Sequence, residues 1–364
     1  MSASEIAHAR LQRQRIAGAG FETAAEVVRW MGAVQAQDYR QALWAIGIRM
    51  REGTVTHVEE AIDAGEIVRT WPMRGTLHFV AAQDARWMLE LSAARMAGKG
   101  SRRLEQLELD ESILEQCQQV IERALRGEKQ LPRARLMALL EEAGISTTGQ
   151  RGYHILVRLA LSGVICLGPM EGRQQTFVLL DEWVPASGKL AREEAIVELA
   201  LRYFTSHGPA TVHDFGWWAG LTVSDAKAGL EGAKPGLTAM AAVGRECWLG
   251  SDGYPDHSPP SAAAFLLPGF DEYLLGYRDR TDVLASEHAG RIVPGGNGMF
   301  KQTAVRCGQV TGTWTRELRR GSVDIAVTPF EAGGDSVATW LQPARAYADF
   351  LQTPLGSTTI QQAL

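Results

Sequence analysis

Two glutamines separated by one residue, Gln35 and Gln37, are the side chains of this sequence with the clearest potential for chemistry. A carboxamide oxygen can accept a hydrogen bond from water and orient it, although a carboxamide does not take up a proton at neutral pH. If the backbone is extended there, residues i and i+2 share a face, and both amides point into one cleft. On spacing alone, two ordinary glutamines on a surface turn are the more common case, and only the rest of the chain changes that interpretation.

An amphipathic helix precedes the glutamine pair and must position it. Thr23 is placed to cap the first turn of this helix. Apolar residues then recur at steps of three and four: Ala24, Val27, Val28, Met31 and Val34. The pair therefore lies where a buried helix ends, and Asp38 follows one position too late to share the face of an extended pair.

The composition is that of a globular protein with two or three domains. The chain has 364 residues, 45% of them hydrophobic and 22% charged, and is too long for a single core. Its apolar runs are too short to span a bilayer and its N-terminus lacks a secretion-signal pattern, so we expect a cytoplasmic location. The widely spaced cysteines predict reduced core thiols rather than zinc or iron–sulfur sites: Cys117, Cys166, Cys247 and Cys307.

The formal net charge of −5 argues against a surface that is basic all over. It does not exclude nucleic-acid binding, because counterion release needs only a local stripe of cations facing phosphates. One candidate is a helix near residues 153–162, with Arg151, His154 and Arg158 on one face. Such a face contacts phosphates or is simply solvated.

Three successions of helices followed by a β-hairpin predict a mainly α fold with β-hairpins (α+β). Helices followed by a hairpin are the layout of a winged helix, and hairpins are expected near residues 67–80, 164–180 and 237–249. We expect winged-helix units over 1–100, 101–186 and 187–260, with a linker at Pro185–Gly188, and a small β-rich domain over 261–364. The units share no obvious sequence repeat, so this prediction rests on the order of patterns.

Two segments of the C-terminal domain are candidates for DNA contact. A tight hairpin over residues 304–314 turns at Cys307–Gly308, and Ala289–Gly298 is rich in glycine. We expect the hairpin to approach DNA and the glycine-rich segment to order on binding, since such loops often carry contacts. The alternative is a plain surface hairpin.

Four blocks of the sequence carry a family resemblance: Gln35–Asp38, Met73–His78, Leu267–Arg280 and Val310–Trp314. Together and in this order they resemble the AlkZ-like winged-helix DNA glycosylases, over most of the chain. The resemblance implies tandem winged helices that form a cleft for duplex DNA. It also implies removal of alkylated purines or unhooking of interstrand crosslinks.

The resemblance also implies roles for individual residues. Gln35 and Gln37 would hold the attacking water, and Gln37 stands where a broader-specificity branch of the family has aspartate. That difference places the chain in the AlkZ-type branch, which is associated with self-resistance to DNA-alkylating natural products. The candidates for DNA contact are Arg69, Arg74, Arg278 and Arg280, together with His78, which faces the cleft or is a structural residue of an apolar strand.

A weak catalytic pair suits a substrate that brings its own activation. A guanine alkylated at N7 is cationic and leaves as a neutral base, so the leaving group needs no proton. Two amide oxygens that orient water beside the developing sugar cation are then sufficient. The pair therefore predicts selectivity for cationic lesions.

We predict a monomeric, monofunctional DNA glycosylase that acts on double-stranded DNA without a cofactor. The histidines show no HxxxH or HxH spacing, which argues against a metal site, and no GxxxxGK[ST] loop is present for ATP. The alternatives are a non-enzymatic winged-helix regulator, which would normally dimerise on repeated half-sites, and a protein-interaction scaffold.

Overall fold

The computed structural model describes residues 1–127, 129–184, 190–252, 263–331, 333 and 336–362. The protein is mixed α/β, with 48% helix and 23% strand, so strands are more prominent than a mainly α prediction suggests. The predicted Pro185–Gly188 linker lies outside the described residues. None of the described helices is both long and apolar enough to cross a membrane.

Most of the described helices precede residue 234. The first nine are α1 (Ala3–Arg13), α2 (Ala24–Met31), α3 (Tyr39–Gly47), α4 (Val55–Asp63), α5 (Ala85–Gln106), α6 (Glu111–Leu125), α7 (Arg133–Glu142), α8 (Arg151–Leu161) and α9 (Leu180–Trp183). They are followed by α10 (Arg192–His207), α11 (Val212–Ala219), α12 (Val223–Ala233), α13 (Glu272–Leu275), α14 (Ala289–Ile292) and α15 (Val337–Phe350).

The strands are interspersed with these helices, mostly in consecutive groups of two or three. They are β1 (Val34–Gln35), β2 (Ile67–Met73), β3 (Thr76–Ala81), β4 (Leu131–Pro132), β5 (Ile165–Glu171), β6 (Gln174–Leu179), β7 (Leu237–Ala242), β8 (Arg245–Gly250), β9 (Ala264–Leu267), β10 (Thr303–Arg306), β11 (Gln309–Arg319), β12 (Ser322–Pro329) and β13 (Leu355–Ile360). The hairpins β2–β3, β5–β6, β7–β8 and β10–β11 lie where the sequence predicts them.

The chain forms two compact units. Unit 1 combines Met1–Val58 with Ile196–Leu364, and unit 2 is Glu59–Ala195. The finer division into three winged helices and a C-terminal domain stays a prediction.

Unit 2 is built on a sheet whose strands follow the order β3-β2-β5-β6-β4. The β2–β3 turn has positive φ at Arg74 (54°) and Gly75 (78°), as a two-residue hairpin turn with native twist requires. Its core is apolar, because α6, α7 and α8 each bury one hydrophobic face. The core includes Cys117, Ile121, Leu136, Leu140, Ile155 and Phe177.

Unit 1 contains a five-stranded sheet in the order β13-β12-β11-β10-β9. The pair β12–β13 is parallel and the other pairs are antiparallel. Helix α1 packs Ala7 and Leu11 against Leu267, Tyr273 and Val305 of the C-terminal half. The two ends of the sequence therefore share one core.

Candidate active site

The glutamine pair lies in a short non-helical segment between α2 and α3, as predicted. Helix α2 begins with a capping box between Thr23 and Glu26 and stops at Gly32, which has a φ of 75°. Gln35 belongs to β1 and is only 7% exposed, whereas Gln37 is exposed. One amide is thus sheltered by the protein and its neighbour is open to solvent.

Asp38, which follows the glutamine pair, caps the next helix. Its carboxylate is the N-cap of α3 and accepts the backbone N–H of Gln41 at 3.2 Å. An N-cap bond of this kind satisfies one of the free donors of the first helical turn. The carboxylate next to the glutamines therefore serves the start of α3.

A different acid, Glu272, lies directly behind Gln35. The backbone N–H of Gln35 donates to Glu272 Oε1 at 2.9 Å. The indole N–H of Trp218 donates to Glu272 Oε2, also at 2.9 Å. Glu272 is fully buried, at 0% exposure, and a buried carboxylate is stable only when such donors satisfy it.

His207 completes the surroundings of this carboxylate. Its Nε2 lies 3.8 Å from Glu272 Oε2, and its Nδ1 lies 2.8 Å from Ser206 Oγ. Burial lowers the pKa of His207, and the neighbouring Glu272 only partly opposes that effect. We therefore treat the ring as neutral. Its position depends on Gly276, because a Cβ there would come within 2.7 Å of the ring.

A second buried pair fixes the residue that precedes Glu272. Arg49 binds Asp271 with both terminal nitrogens at 2.9 Å, and it also donates to Ala45 O and Gln14 Oε1. A bidentate arginine–carboxylate pair sets orientation as well as distance. Through Arg49, the Asp271–Glu272 dipeptide is linked by hydrogen bonds to residues at the C-terminal ends of α1 and α3.

Two of the predicted DNA-binding arginines lie in unit 1, close behind Glu272 in the sequence. The Arg278 side chain is exposed, and its backbone N–H donates to Asp214 Oδ1 at 3.0 Å. Arg280 is half-buried and donates from Nε to Leu274 O at 2.8 Å. Its guanidinium lies 5.0 Å from the Trp217 ring centre and 5.1 Å from that of Phe300. Arg278 is thus the more accessible cation.

The other predicted contacts, Arg69, Arg74 and His78, belong to unit 2 and differ in exposure. His78 is 0% exposed in β3, with Nδ1 2.9 Å from Thr76 O, and its contact with DNA stays a prediction. Arg69 is 9% exposed and donates to Gln175 Oε1 at 2.9 Å. Arg74, at the hairpin turn, is half-exposed. Of these three, Arg74 is the one that the structure presents to solvent.

The basic face predicted on α8 also has partners inside unit 2. Arg151 donates to the backbone oxygens of Leu107, Glu108 and Ser146. His154 is half-buried, and burial, with a smaller effect of Arg103, lowers its pKa. The Arg151 guanidinium therefore joins loops of unit 2.

The Cys307–Gly308 turn has a structural role that its sequence does not reveal. Gly308 is buried, and a Cβ on it would lie 2.8 Å from the Cβ of Ala7 in α1. The Tyr273 hydroxyl donates to Gly308 O at 2.7 Å. The turn is therefore packed within unit 1, and its contact with DNA stays a prediction, as does the ordering of Ala289–Gly298.

In the described part of the chain, one group of side chains has ligand atoms close enough together for a metal: Glu287, His288 and Glu331, all within 4.8 Å. Both carboxylates are exposed, and the His288 ring packs 4.4 Å from that of Phe330. Exposed acidic groups are common without an ion. We assign no metal to them.

Comparisons with known proteins agree on one family. The sequence model of the family described as "DNA glycosylase AlkZ-like" matches residues 28–350. The interstrand DNA cross-link repair glycosylase of Streptomyces sahachiroi is 27% identical over 341 residues, which cover 88% of each chain. The solved structure of DNA glycosylase AlkZ from the same organism has a TM-score of 0.81 at 24% identity, over 99% of this chain and 100% of that one. At that identity the structural match speaks for the fold alone.

Proposed function

Because this chain belongs to the AlkZ-like family of DNA glycosylases, we propose that it hydrolyses the N-glycosidic bond of cationic N7-alkylated purines in duplex DNA. Gln35 and Gln37 hold the attacking water. The observation that carries this assignment is their place within the matched residues, in a segment whose backbone is fastened to a buried carboxylate. Family membership favours an enzyme over a non-enzymatic regulator.

The uncharged pair explains why the substrate must be cationic. Neither amide removes a proton from water at neutral pH, so the pair orients water rather than activating it as a strong base. An N7-alkylated purine is already positive, and its departure as a neutral base leaves a sugar cation. The oxygen of the oriented water bonds to this cation, and the proton that the water loses passes to solvent. Normal nucleotides lack this activation, and their glycosidic bonds are left intact.

Interstrand crosslinks are the substrate class we propose beyond simple adducts. The Streptomyces relative is named for their repair, and each guanine that a crosslink joins through N7 carries the same positive charge as a single adduct. Self-resistance to a DNA-alkylating natural product is the biological role that fits such a substrate.

We also propose how the protein engages DNA. Three helix–hairpin successions, ending in β2–β3, β5–β6 and β7–β8, would be winged-helix units that bind the phosphate backbone of duplex DNA. Arg74, Arg278 and Arg280 are the predicted contacts that retain some solvent exposure. A repair enzyme acts on single lesions, so we propose that the protein is a monomer. We also propose a cytoplasmic location.

The test is single-turnover base release from duplexes carrying small and bulky N7-alkylguanine. Gln35→Ala and Gln37→Ala should each lower the rate on the order of a hundredfold or more, the usual loss when a water-positioning group is removed. Duplex affinity should change little. The matched control is Gln116→Ala, an exposed glutamine on α6 of unit 2, which should leave the rate unchanged.

A third variant, Gln37→Asp, separates orientation from base strength. It places a carboxylate beside the water and should keep activity on small cationic adducts, with a relaxed preference for bulky ones. Equal rates for wild type, Gln37→Ala and Gln37→Asp would remove Gln37 from catalysis. Sequence-specific binding without base release from any adduct would favour the regulator.

A further inference from the structure

We propose that Glu272 is a positioning residue for Gln35. Its buried carboxylate holds the backbone of Gln35 and thereby sets where the side-chain carboxamide of Gln35 contacts the water. This inference rests on the proposed function of the glutamine pair. Glu272 touches neither water nor DNA in this scheme, since it is 0% exposed. It acts through the backbone of β1.

The hydrogen bond to Gln35 controls a segment with little regular structure of its own. Helix α2 stops at Gly32, α3 begins after Asp38, and β1 between them has only two residues. Such a segment depends on hydrogen bonds to its surroundings for a fixed position. The bond from Gln35 N–H to Glu272 Oε1, at 2.9 Å, is charge-assisted, and bonds of that type are shorter and stronger than neutral ones.

The carboxylate is itself held from its far side, which makes it a fixed reference point. Trp218 donates to Oε2, and its ring lies 5.2 Å from the ring of His207 and 5.0 Å from that of Tyr203. The Tyr203 hydroxyl donates to Gly276 O at 2.7 Å. Movement of Glu272 would disturb three packed aromatic groups, so its Oε1 is held in one place.

Precise placement matters because the proposed catalysis is orientation. A shift of about 1 Å in a positioning group can cost on the order of a hundredfold in rate. A glutamine that acts by orienting water, and not as a base, is especially sensitive to such a shift. The burial of a carboxylate, which is costly by itself, then has a function at the site.

The decisive variant is Glu272→Gln, which keeps the volume but leaves one acceptor oxygen for two N–H donors. We expect single-turnover base release to fall by about tenfold to a hundredfold, with the affinity for duplex nearly unchanged. Exchange of the Gln35 backbone amide with solvent should become faster. In a double-mutant cycle with Gln35→Ala, the two losses should not multiply, because Glu272 acts through Gln35.

Asp282→Asn is the matched control. Asp282 is another buried acid of unit 1, paired with Arg10 and Arg245. This variant should lower stability without changing Gln35 exchange and without coupling to Gln35→Ala. If Glu272→Gln fails to fold, Glu272→Asp carries the same cycle, since it keeps both oxygens but withdraws them by one methylene.

The inference is overturned if Glu272→Gln leaves both Gln35 exchange and base release at wild-type values, or if its loss multiplies fully with that of Gln35→Ala. These outcomes differ from failure of the proposed function. If the proposed function is wrong, the wild-type protein releases no base, or Gln35→Ala releases base at the wild-type rate. The amide-exchange measurement then decides by itself whether Glu272 holds Gln35.

Discussion

The two compact units bury different kinds of side chain. In the described residues of unit 1, the buried Arg, His, Asp and Glu side chains are Arg10, Arg13, Arg49, His207, Asp214, Asp271, Glu272 and Asp282. In those of unit 2 they are Arg69, His78 and Asp84. Unit 2 is built around a continuous apolar cluster formed by α6, α7, α8 and its sheet, and unit 1 has apolar clusters beside its buried charges.

The difference shows where the protein needs orientation more than stability. A buried ion pair is weak evidence for stability, because the cost of removing charges from water offsets their attraction. Hydrogen bonds to charged groups nevertheless fix the orientation of side chains and backbone more strictly than apolar contacts do. In unit 1, Glu272 accepts the backbone N–H of Gln35, and the neighbouring Asp271 is paired with Arg49, just after the end of α3. We interpret unit 2 as a scaffold stabilised by its apolar core.

The largest effect should come from breaking the Arg49–Asp271 pair. Arg49→Leu leaves Asp271 buried without its bidentate partner, and we expect the free energy of unfolding to fall by about 3–5 kcal/mol. Denaturant titration measures this loss. Removing both charges, with Arg49→Met and Asp271→Asn together, should cost less than Arg49→Leu alone, because no uncompensated charge remains.

Leu136→Ala provides the apolar counterpart in unit 2. Leu136 is fully buried in the apolar cluster, and its truncation should cost about 2–5 kcal/mol through lost burial and a cavity. At equal folded fraction this variant should release base at the wild-type rate, whereas Arg49→Leu should not. Equal effects of the two variants on base release would contradict the contrast between orienting and scaffolding regions.

Much of the fold follows from local sequence patterns. The helix before the glutamines, its Thr23 cap and four hairpins lie where apolar periodicity and turn residues place them. Helix α5 (Ala85–Gln106) is the main omission. It contains Gly98 and Gly100, which have low helix propensity, and its apolar residues form no clear stripe. Strand β13 escapes prediction because its pairing with β12 is parallel, a contact that no local turn announces.

The carboxylate behind the candidate site could not be found in the same way. Glu272 and Gln35 are 237 residues apart in the sequence, and a single sequence does not show that they meet. A signal existed: Asp271 and Glu272 precede Tyr273, Leu274 and Leu275 in a strongly apolar block. Charged residues in such a block are rarely buried unless paired, so partners were to be expected there. The burial of His78 agrees with the expectation that it is a structural residue of an apolar strand.

His207 should make unit 1 sensitive to acid. Burial holds the pKa of His207 below its ordinary value of 6.5, so below about pH 6.5 the unfolded chain binds a proton that the folded chain does not. Stability therefore falls as pH decreases from 6.5 toward the folded pKa, by at most about 1.4 kcal/mol per pH unit from this residue. His207→Gln should flatten that part of the stability profile, as measured by denaturant titration from pH 8 to 5.

His154→Gln is the comparison in unit 2. The pKa of His154 is also lowered by burial, but the side chain is half-exposed, so solvent screens the effect and the change in slope should be smaller. A larger flattening for His154→Gln than for His207→Gln would reverse the expected contrast between the units.

The smallest effect concerns two arginines that the sequence alone makes equivalent. Arg278 in unit 1 is exposed, whereas Arg69 in unit 2 is buried against Gln175. Since each phosphate contact releases counterions, Arg278→Ala should reduce the slope of log affinity against log salt by about one unit. Arg69→Ala should leave that slope unchanged and lower the free energy of unfolding instead, because it removes a buried hydrogen bond.

Fluorescence anisotropy on an undamaged duplex over a salt series measures both slopes without requiring catalysis. An unchanged slope for Arg278→Ala would remove Arg278 from the DNA surface, and a lowered slope for Arg69→Ala would mean that the β2 arginine leaves Gln175 when DNA binds.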